Sequence, residues 1–331
     1  MEAVAPPPAP AGVPADAVAG EEALGWLDPL TAAPLPPADS EVGKDDFVVV
    51  QWNVLADGLD HDGSWFQRKD MILAEVFRRS PDIICLQEVN HFADHLEPVL
   101  RDQGFEGVFA PKANSPALKF GKPMDGCATF INTIKFTLLR HQRFVYSGYT
   151  QVFQLCFLRA NGSGSRGDAP DLIVCNTHLK SKRHYEPWRV DQITQLLRTL
   201  QGLQVEFPQA QFILAGDLNT TPTGRVRGRI ASSTKAPMLS SAFATLESSS
   251  HANFFTRLKR DGRTNLPMTQ VIDHILFSGS GLQVRAILPP PVVQDLFRVL
   301  PDAGWPSDHL ALAARFRGPW SSANSSEDDP D

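Results

Sequence analysis

Apolar positions along the chain follow two rhythms. Short, dense runs bounded by Gly, Pro or polar residues read as buried strands: Phe47–Trp52, Ile83–Leu86, Cys127–Ile131, Phe136–Tyr146, Gln151–Leu158, Leu172–Cys175, Phe212–Ala215, Val271–Phe277, Val284–Leu288 and Leu310–Phe316. Between them lie segments with apolar residues at helical spacing. Trp65–Arg79 carries Phe66, Met71, Ile72, Val76 and Phe77 as a stripe, and Pro81 stops it. Phe92–Gln103 runs up to Gly104, a residue suited to a helix C-terminus, and Tyr185–Gln204 aligns Ile193, Leu196, Leu197 and Leu200. Gly224–Ile230 fits either rhythm. Helices and strands alternate first and strands dominate later, with no internal repeat. This predicts a single α+β sandwich, two sheets face to face with helices outside.

The rhythm fades at both ends. Residues 1–43 are rich in Pro and Ala (Pro6-Pro7-Pro8, Pro34, Pro36-Pro37) and read as a disordered leader, 44–318 as the folded domain and 319–331 as a disordered acidic tail. Ala23–Leu27 is the apolar patch of the leader; docking on the body or on a protein partner is open to it, and a tethered tail is the expectation. Charge follows the same division. The formal net charge is −6, but residues 1–43 hold seven acids and no Lys or Arg, and the tail four acids, which leaves the body at +5. A mildly basic body suits a phosphate-bearing substrate and lacks the dense basic stripe of a duplex binder. Cys85, Cys127, Cys156 and Cys175 each sit in or beside an apolar run without metal-pair spacing, which predicts buried thiols and a reducing compartment. No stretch is long and apolar enough to span a bilayer, and a secretory signal or presequence pattern is missing at Met1. The expectation is a monomer in the cytoplasm, with the nucleus as a second location, and not secreted.

The candidate chemistry stands at strand ends. Val48–Trp52 delivers Asn53, Ile83–Leu86 delivers Glu88, Leu172–Cys175 delivers His178 and Lys180, and Phe212–Ala215 delivers Asp217 and Asn219 after Gly216, where the backbone bends out of the sheet. Asp273 lies inside an apolar run, and Asp308-His309 heads the last one. Singly, most of these have ordinary readings as turn, cap or core residues. Asp273 is the exception, because a carboxylate in an apolar strand must be paired to be tolerated. Jointly, strand ends that converge on one rim would bring acids, amides and imidazoles into one cleft.

Gln51-Trp52-Asn53, Leu86-Gln87-Glu88-Val89, Asp125-Gly126-Cys127-Ala128, Thr177-His178-Leu179-Lys180, Gly216-Asp217-Leu218-Asn219 and Ser307-Asp308-His309 resemble the ordered motifs of the endonuclease/exonuclease/phosphatase superfamily. They are most similar to its branch of carbon-catabolite-repressor deadenylases and nocturnin, and Phe109–Lys112, Ser115-Pro116 and Trp188-Arg189 extend the resemblance. It implies a four-layered α/β/β/α sandwich and Mg²⁺-dependent hydrolysis of a phosphate ester with one or two ions. Glu88 would be the principal metal ligand with Asn53 near it. Asp217 and Asn219 would position the attacking water or hold a second ion, and His178 and His309 would face the phosphoryl oxygens. Asp273 would orient His178, and Asp308 would support His309. Lys112, Lys180, Lys182 and Arg183 are the substrate-side candidates. Lys182 stands where the branch carries an arginine, and a lysine lacks the planar fork that grips phosphate, a role open to Arg183 from the next position.

This assignment agrees with the chemistry. Phosphoryl transfer needs charge neutralisation and positioning, and hard oxygen donors such as Glu88 suit Mg²⁺. Asp217 and His309 are both candidates for the base. The resemblance points to removal of the 2′-phosphate of NADP(H), with 3′–5′ trimming of an RNA poly(A) end as the alternative and an inactive scaffold as a third reading. The substrate is thus expected to be a nucleotide or an RNA 3′ end.

Overall fold

Most of the apolar runs become strands, in a computed structural model that describes residues 25–35, 43–58, 65–163, 167–248, 254–262, 264–279, 281–290 and 300–320. In chain order these residues form β1 (Asp46–Asn53), α1 (Trp65–Phe77), β2 (Ile83–Val89), α2 (Glu97–Asp102), β3 (Phe105–Pro111), β4 (Gly126–Asn132), β5 (Phe136–Val145), β6 (Val152–Ala160), β7 (Leu172–His178), α3 (Glu186–Glu206), β8 (Gln211–Asp217), α4 (Arg225–Ala231), β9 (Leu239–Ser241), α5 (Ala244–Ser248), β10 (Arg257–Arg260), β11 (Pro267–Gln270), β12 (Asp273–Ser278), β13 (Gln283–Leu288) and β14 (Leu312–Arg317). One six-stranded sheet has the order β13-β14-β1-β2-β4-β3 and the other β5-β6-β7-β8-β12-β9, while β10 and β11 form a small ribbon.

Side-chain alternation along each strand builds the layers. Phe47 and Val49 of β1, Ile83 and Cys85 of β2, and Ile213 and Ala215 of β8 meet in the core between the sheets. Ile84 and Leu86 of β2 point the other way, onto Ile72, Leu73 and Val76 of α1. Phe212 and Leu214 of β8 likewise face Ile193, Leu196 and Leu200 of α3. The result is the expected α/β/β/α sandwich of two mixed sheets flanked by helices.

Several local expectations are corrected. Phe92–Gln103 is not one α-helix but a π-helical turn (Phe92–Leu96) followed by α2. Pro98 has no N–H for an α-helical bond to Asp94, so a regular ladder cannot run through it. Gly216 does not bend the chain out of its sheet; it lies inside β8, where a Cβ would collide with the backbone carbonyl of Thr177 on the parallel neighbour β7. Nor is the leader a tethered tail throughout, because residues 25–35 form a strap on the body. Leu27 exchanges backbone hydrogen bonds of 2.8 and 3.0 Å with Ile287 on the edge strand β13, and Arg315 lies over the Trp26 ring at 4.7 Å. An open strand edge and an apolar face beside it give Trp26-Leu27 their partner. The disordered-leader expectation for 1–24 and 36–42, and the tail beyond 320, fall outside the described residues.

Buried amides cross between the sheets. Gln51 Nε2 donates to Gln87 Oε1 (2.7 Å) and Asp273 Oδ1 (3.1 Å), Gln87 Nε2 donates to Asn176 Oδ1 (2.9 Å), and Asn176 Nδ2 donates to the carbonyls of Ala128 (2.8 Å) and Leu86 (3.1 Å). All four side chains are buried. Replacing one member strands the others, so Gln87→Leu should lower the unfolding free energy by about 1–3 kcal/mol in urea titrations. An unchanged midpoint and slope would show that the lattice adds nothing to stability.

Candidate active site

The strand ends converge as the motifs suggested, and each has a local device that aims its side chain. The β2–β4 register shifts between Leu86 and Val89, and Glu88 there takes a left-handed φ of 57°. Such a bulge re-aims a side chain and stores strain that the surroundings must hold. Glu88 is held by the Ala56 N–H on Oε2 (3.0 Å) and by Asn53 Nδ2 on Oε1 (3.2 Å). Parallel pairing of β7 with β8 sets His178 beside Asp217, and antiparallel β12 sets Asp273 opposite Asp217. His178 Nε2 lies 3.4 Å from Asp217 Oδ2, with its Nδ1 3.9 Å from Glu88 Oε1. His309 enters from the segment just before β14, its Nε2 3.8 Å from the same Asp217 oxygen.

The partners within this cluster differ from expectation. Asp273 orients His309, not His178: its Oδ2 lies 2.8 Å from His309 Nδ1 and also accepts from Thr256 Oγ1 at 2.7 Å. Asp308 does not primarily support His309. Its Oδ2 is taken by Arg257 Nε and Nη2 at 2.9 and 2.8 Å, while its Oδ1 lies 3.9 Å from His309 Nε2. Asp308 lies in the bend before His309 and turns to Arg257 of β10, while His309 reaches inward. Asn53 is not turned as an oxygen ligand. Its Oδ1 accepts the Leu55 N–H (3.0 Å), and its Nδ2 clamps Glu88 and Asp217 (3.1 Å) together. Asn219 fixes Asp217 with its backbone N–H (2.8 Å on Oδ1), while its amide is tied to the Leu179 carbonyl (3.0 Å).

Electrostatics divides the roles. Burial raises the Glu88 pKa, but the opposing fields of His178, the Ala56 N–H and Lys112 hold it down at about 2, so Glu88 stays a carboxylate. Asp217 is pushed up, chiefly by burial and also by Asp273, against the pull of His178 and His309. For His309, burial opposes protonation, yet Asp273 and Asp308 lift its pKa to about 9. Lys112 acts on Glu88 through its field, and Lys180 lies near Lys112. Lys112 Nζ lies 3.4 Å from Asp125 Oδ2, and Lys180 lies over the Tyr185 ring at 4.8 Å. Burial and the nearby charges of Lys112 and Lys182 lower the Lys180 pKa. Lys182 and Arg183 stay exposed on the turn into α3. Beside Lys180, Gly148, Tyr149, Thr150, Gln151 and Trp188 line a hollow of about 290 Å³. A larger cavity of about 780 Å³ under the strap shares no residue with this chemistry.

The donor set fits a divalent cation. Asp217 Oδ2 and Glu88 Oε1 accept from the same Asn53 Nδ2, at 3.1 and 3.2 Å, so two hard-oxygen donors converge, while Asp273 and His309 lie close to Asp217 but are paired with each other. Sequence reasoning missed Arg257, which lies in a basic tetrapeptide without motif character, and Ser307 as a strut: its Oγ donates to the Asn53 carbonyl (2.7 Å) and accepts from the His309 N–H (3.1 Å).

A two-sheet sandwich with this rim of carboxylates, amides and imidazoles defines a class, and the comparisons agree. Residues 50–309 match the model of the Endonuclease/Exonuclease/phosphatase family, and the chain belongs to that family. Among relatives, nocturnin of Homo sapiens is 32% identical over 287 residues, covering 81% of this chain; the chain spans 64% of that protein's length. The CCR4-Not complex 3′-5′-exoribonuclease subunit Ccr4 of Candida albicans is 25% identical over 76% of this chain and 37% of its own length. The solved human Nocturnin catalytic domain with bound sulfate anion superposes with a TM-score of 0.68 and 30% identity, covering 83% of this chain and 96% of that one.

The raised His309 pKa makes a testable statement about the metal-free protein. A folded pKa of about 9 against an unfolded value near 6.5 contributes on the order of 3 kcal/mol, fully present below about pH 6.5 and lost as pH rises through about 9. Urea unfolding in EDTA should therefore weaken across this window, and His309→Asn should remove the slope. A profile as steep in the variant as in the wild type would contradict the assignment.

Proposed function

We propose that the protein is a Mg²⁺-dependent phosphoester hydrolase acting on a terminal phosphate of a nucleotide, with the 2′-phosphate of NADP(H) as its substrate. The observation that carries this reading is the meeting of Glu88, His178, Asp217 and His309 at one spot, with the cationic Lys112 and Lys180 beside it. Glu88 would hold the ion, which supplies charge neutralisation at the phosphoryl group when bound. Asp217, made more basic by burial and steadied by Asn53 and Asn219, takes the proton of the attacking water. His309, kept protonated by Asp273, donates to the phosphoryl oxygens with His178 beside it. Lys112 and Lys180 balance the remaining phosphate charge.

Support for the substrate comes from two sides. The relative at 32% identity is a nocturnin, and a nocturnin catalytic domain binds a sulfate anion. The hollow next to Lys180 also offers Tyr149 and Trp188, ring centroids 5.5 Å apart, to the flat ring of a nucleotide.

The test offers purified protein NADPH and oligo(A) side by side with Mg²⁺. Phosphate release from NADPH with intact oligo(A) is expected; shortening of oligo(A) with intact NADPH would transfer the site to a 3′-exoribonuclease. Glu88→Gln should lower kcat by roughly 100-fold or more without changing the fold. A variant with the wild-type rate would mean that the reaction occurs elsewhere.

A further inference from the structure

Arg257 carries a charge into the site that no motif announces. β10 runs antiparallel past His309, with an Arg257–His309 bridge flanked by Leu258 N–H to Asp308 C=O (3.0 Å) and Leu310 N–H to Thr256 C=O (2.7 Å). The guanidinium is oriented as well as anchored, since Nε and Nη2 both lie on Asp308 Oδ2, at 2.9 and 2.8 Å. Nη1 donates to no described residue, and the side chain keeps 20% of its surface accessible. Burial works against its charge, but Asp308, then Asp217 and Glu88, raise its pKa. The cation thus lies within the field of the two carboxylates that define the reaction centre, although both stand on other strands.

We propose that Arg257, held in place by Asp308, contacts the substrate's phosphoryl oxygens through its free Nη1 edge. The inference rests on reading the site as a phosphoester hydrolase. It gives the site the planar donor that Lys112, Lys180 and Lys182 cannot supply, because an ammonium is a point charge and a guanidinium presents fixed N–H groups to an oxyanion. Asp308 is then a positioning residue: it spends its carboxylate on aiming Arg257.

The experiment uses the full chain with Mg²⁺ and compares wild type, Arg257→Lys, Arg257→Ala and Asp308→Asn. Four quantities are read: kcat and KM on NADPH, the dissociation constant of inorganic phosphate by calorimetry, and the thermal unfolding midpoint. Arg257→Lys keeps the charge and the length of the side chain and loses the fork. It should lower kcat/KM and phosphate affinity by roughly 10- to 100-fold at an unchanged midpoint, with Asp308→Asn showing a smaller loss in the same direction. Wild-type kinetics and phosphate affinity in Arg257→Lys would overturn the proposal while leaving the hydrolase reading intact. Loss of phosphate affinity only in step with loss of the folded state would also overturn it. A wild-type protein that neither turns over NADPH nor binds phosphate would remove the NADP(H) phosphatase reading and this inference with it.

Discussion

The position of every reacting group depends on how one sheet is registered against the other, and buried amides fix that register. Gln51 bridges Gln87 in its own sheet and Asp273 in the opposite one, and Gln87 continues the bridge to Asn176. The apolar core between the sheets supplies most of the adhesion but little direction, since burial depends on area and not on angle. Hydrogen bonds in a dry interior are directional and costly to leave unmade. The site draws Asn53 and Glu88 from one sheet and His178, Asp217 and Asp273 from the other. Within each sheet, a slip of one residue in strand pairing would turn that strand's side chains to the wrong face.

On this frame the rim accepts local strain and crowded charge. Glu88, Asn219 and Leu55 all hold positive φ angles of 57°, 48° and 60°, a conformation that favours glycine. All three belong to the machinery: Glu88 and Asn219 by their own contacts, and Leu55 as the donor that turns the Asn53 amide. The buried carboxylates are tolerated because each has a charged or hydrogen-bonded partner: Asp273 has His309, Gln51 and Thr256; Glu88 has His178 and the Ala56 N–H; Asp217 has Asn53, Asn219 and two imidazoles.

Most strands, the four-layer order and the residues of the rim were legible, because the strands that carry the rim are dense apolar runs with the candidate residues at or beside their ends. Register was not. Whether Asp273 meets His178 or His309 depends on the β8–β12 pairing and on where β14 begins, which no local pattern encodes. The same holds for Asp308, whose partner Arg257 lies 51 residues earlier in the chain on a ribbon with no apolar run. Short strands such as β9, and the polar β10 and β11, escaped for that reason. The strap was half visible: Trp26-Leu27 stood out as apolar, but its partner, the free edge of β13, exists only once the sheet is built. Gly216 was read as a bend because nothing in one strand reveals how closely its neighbour's carbonyl will pass.

The central claim is that two sheets, held in register, focus their carboxylates and imidazoles on one cation-sized spot. Manganese is a close stand-in for magnesium and scatters anomalously, so crystals of the full chain soaked in Mn²⁺ test this directly. The account predicts an anomalous peak bonded to a Glu88 oxygen and enclosed by Asp217, His178 and His309. A well-occupied peak in another hollow, with Glu88 still bound only to Asn53 and the Ala56 N–H, would contradict it.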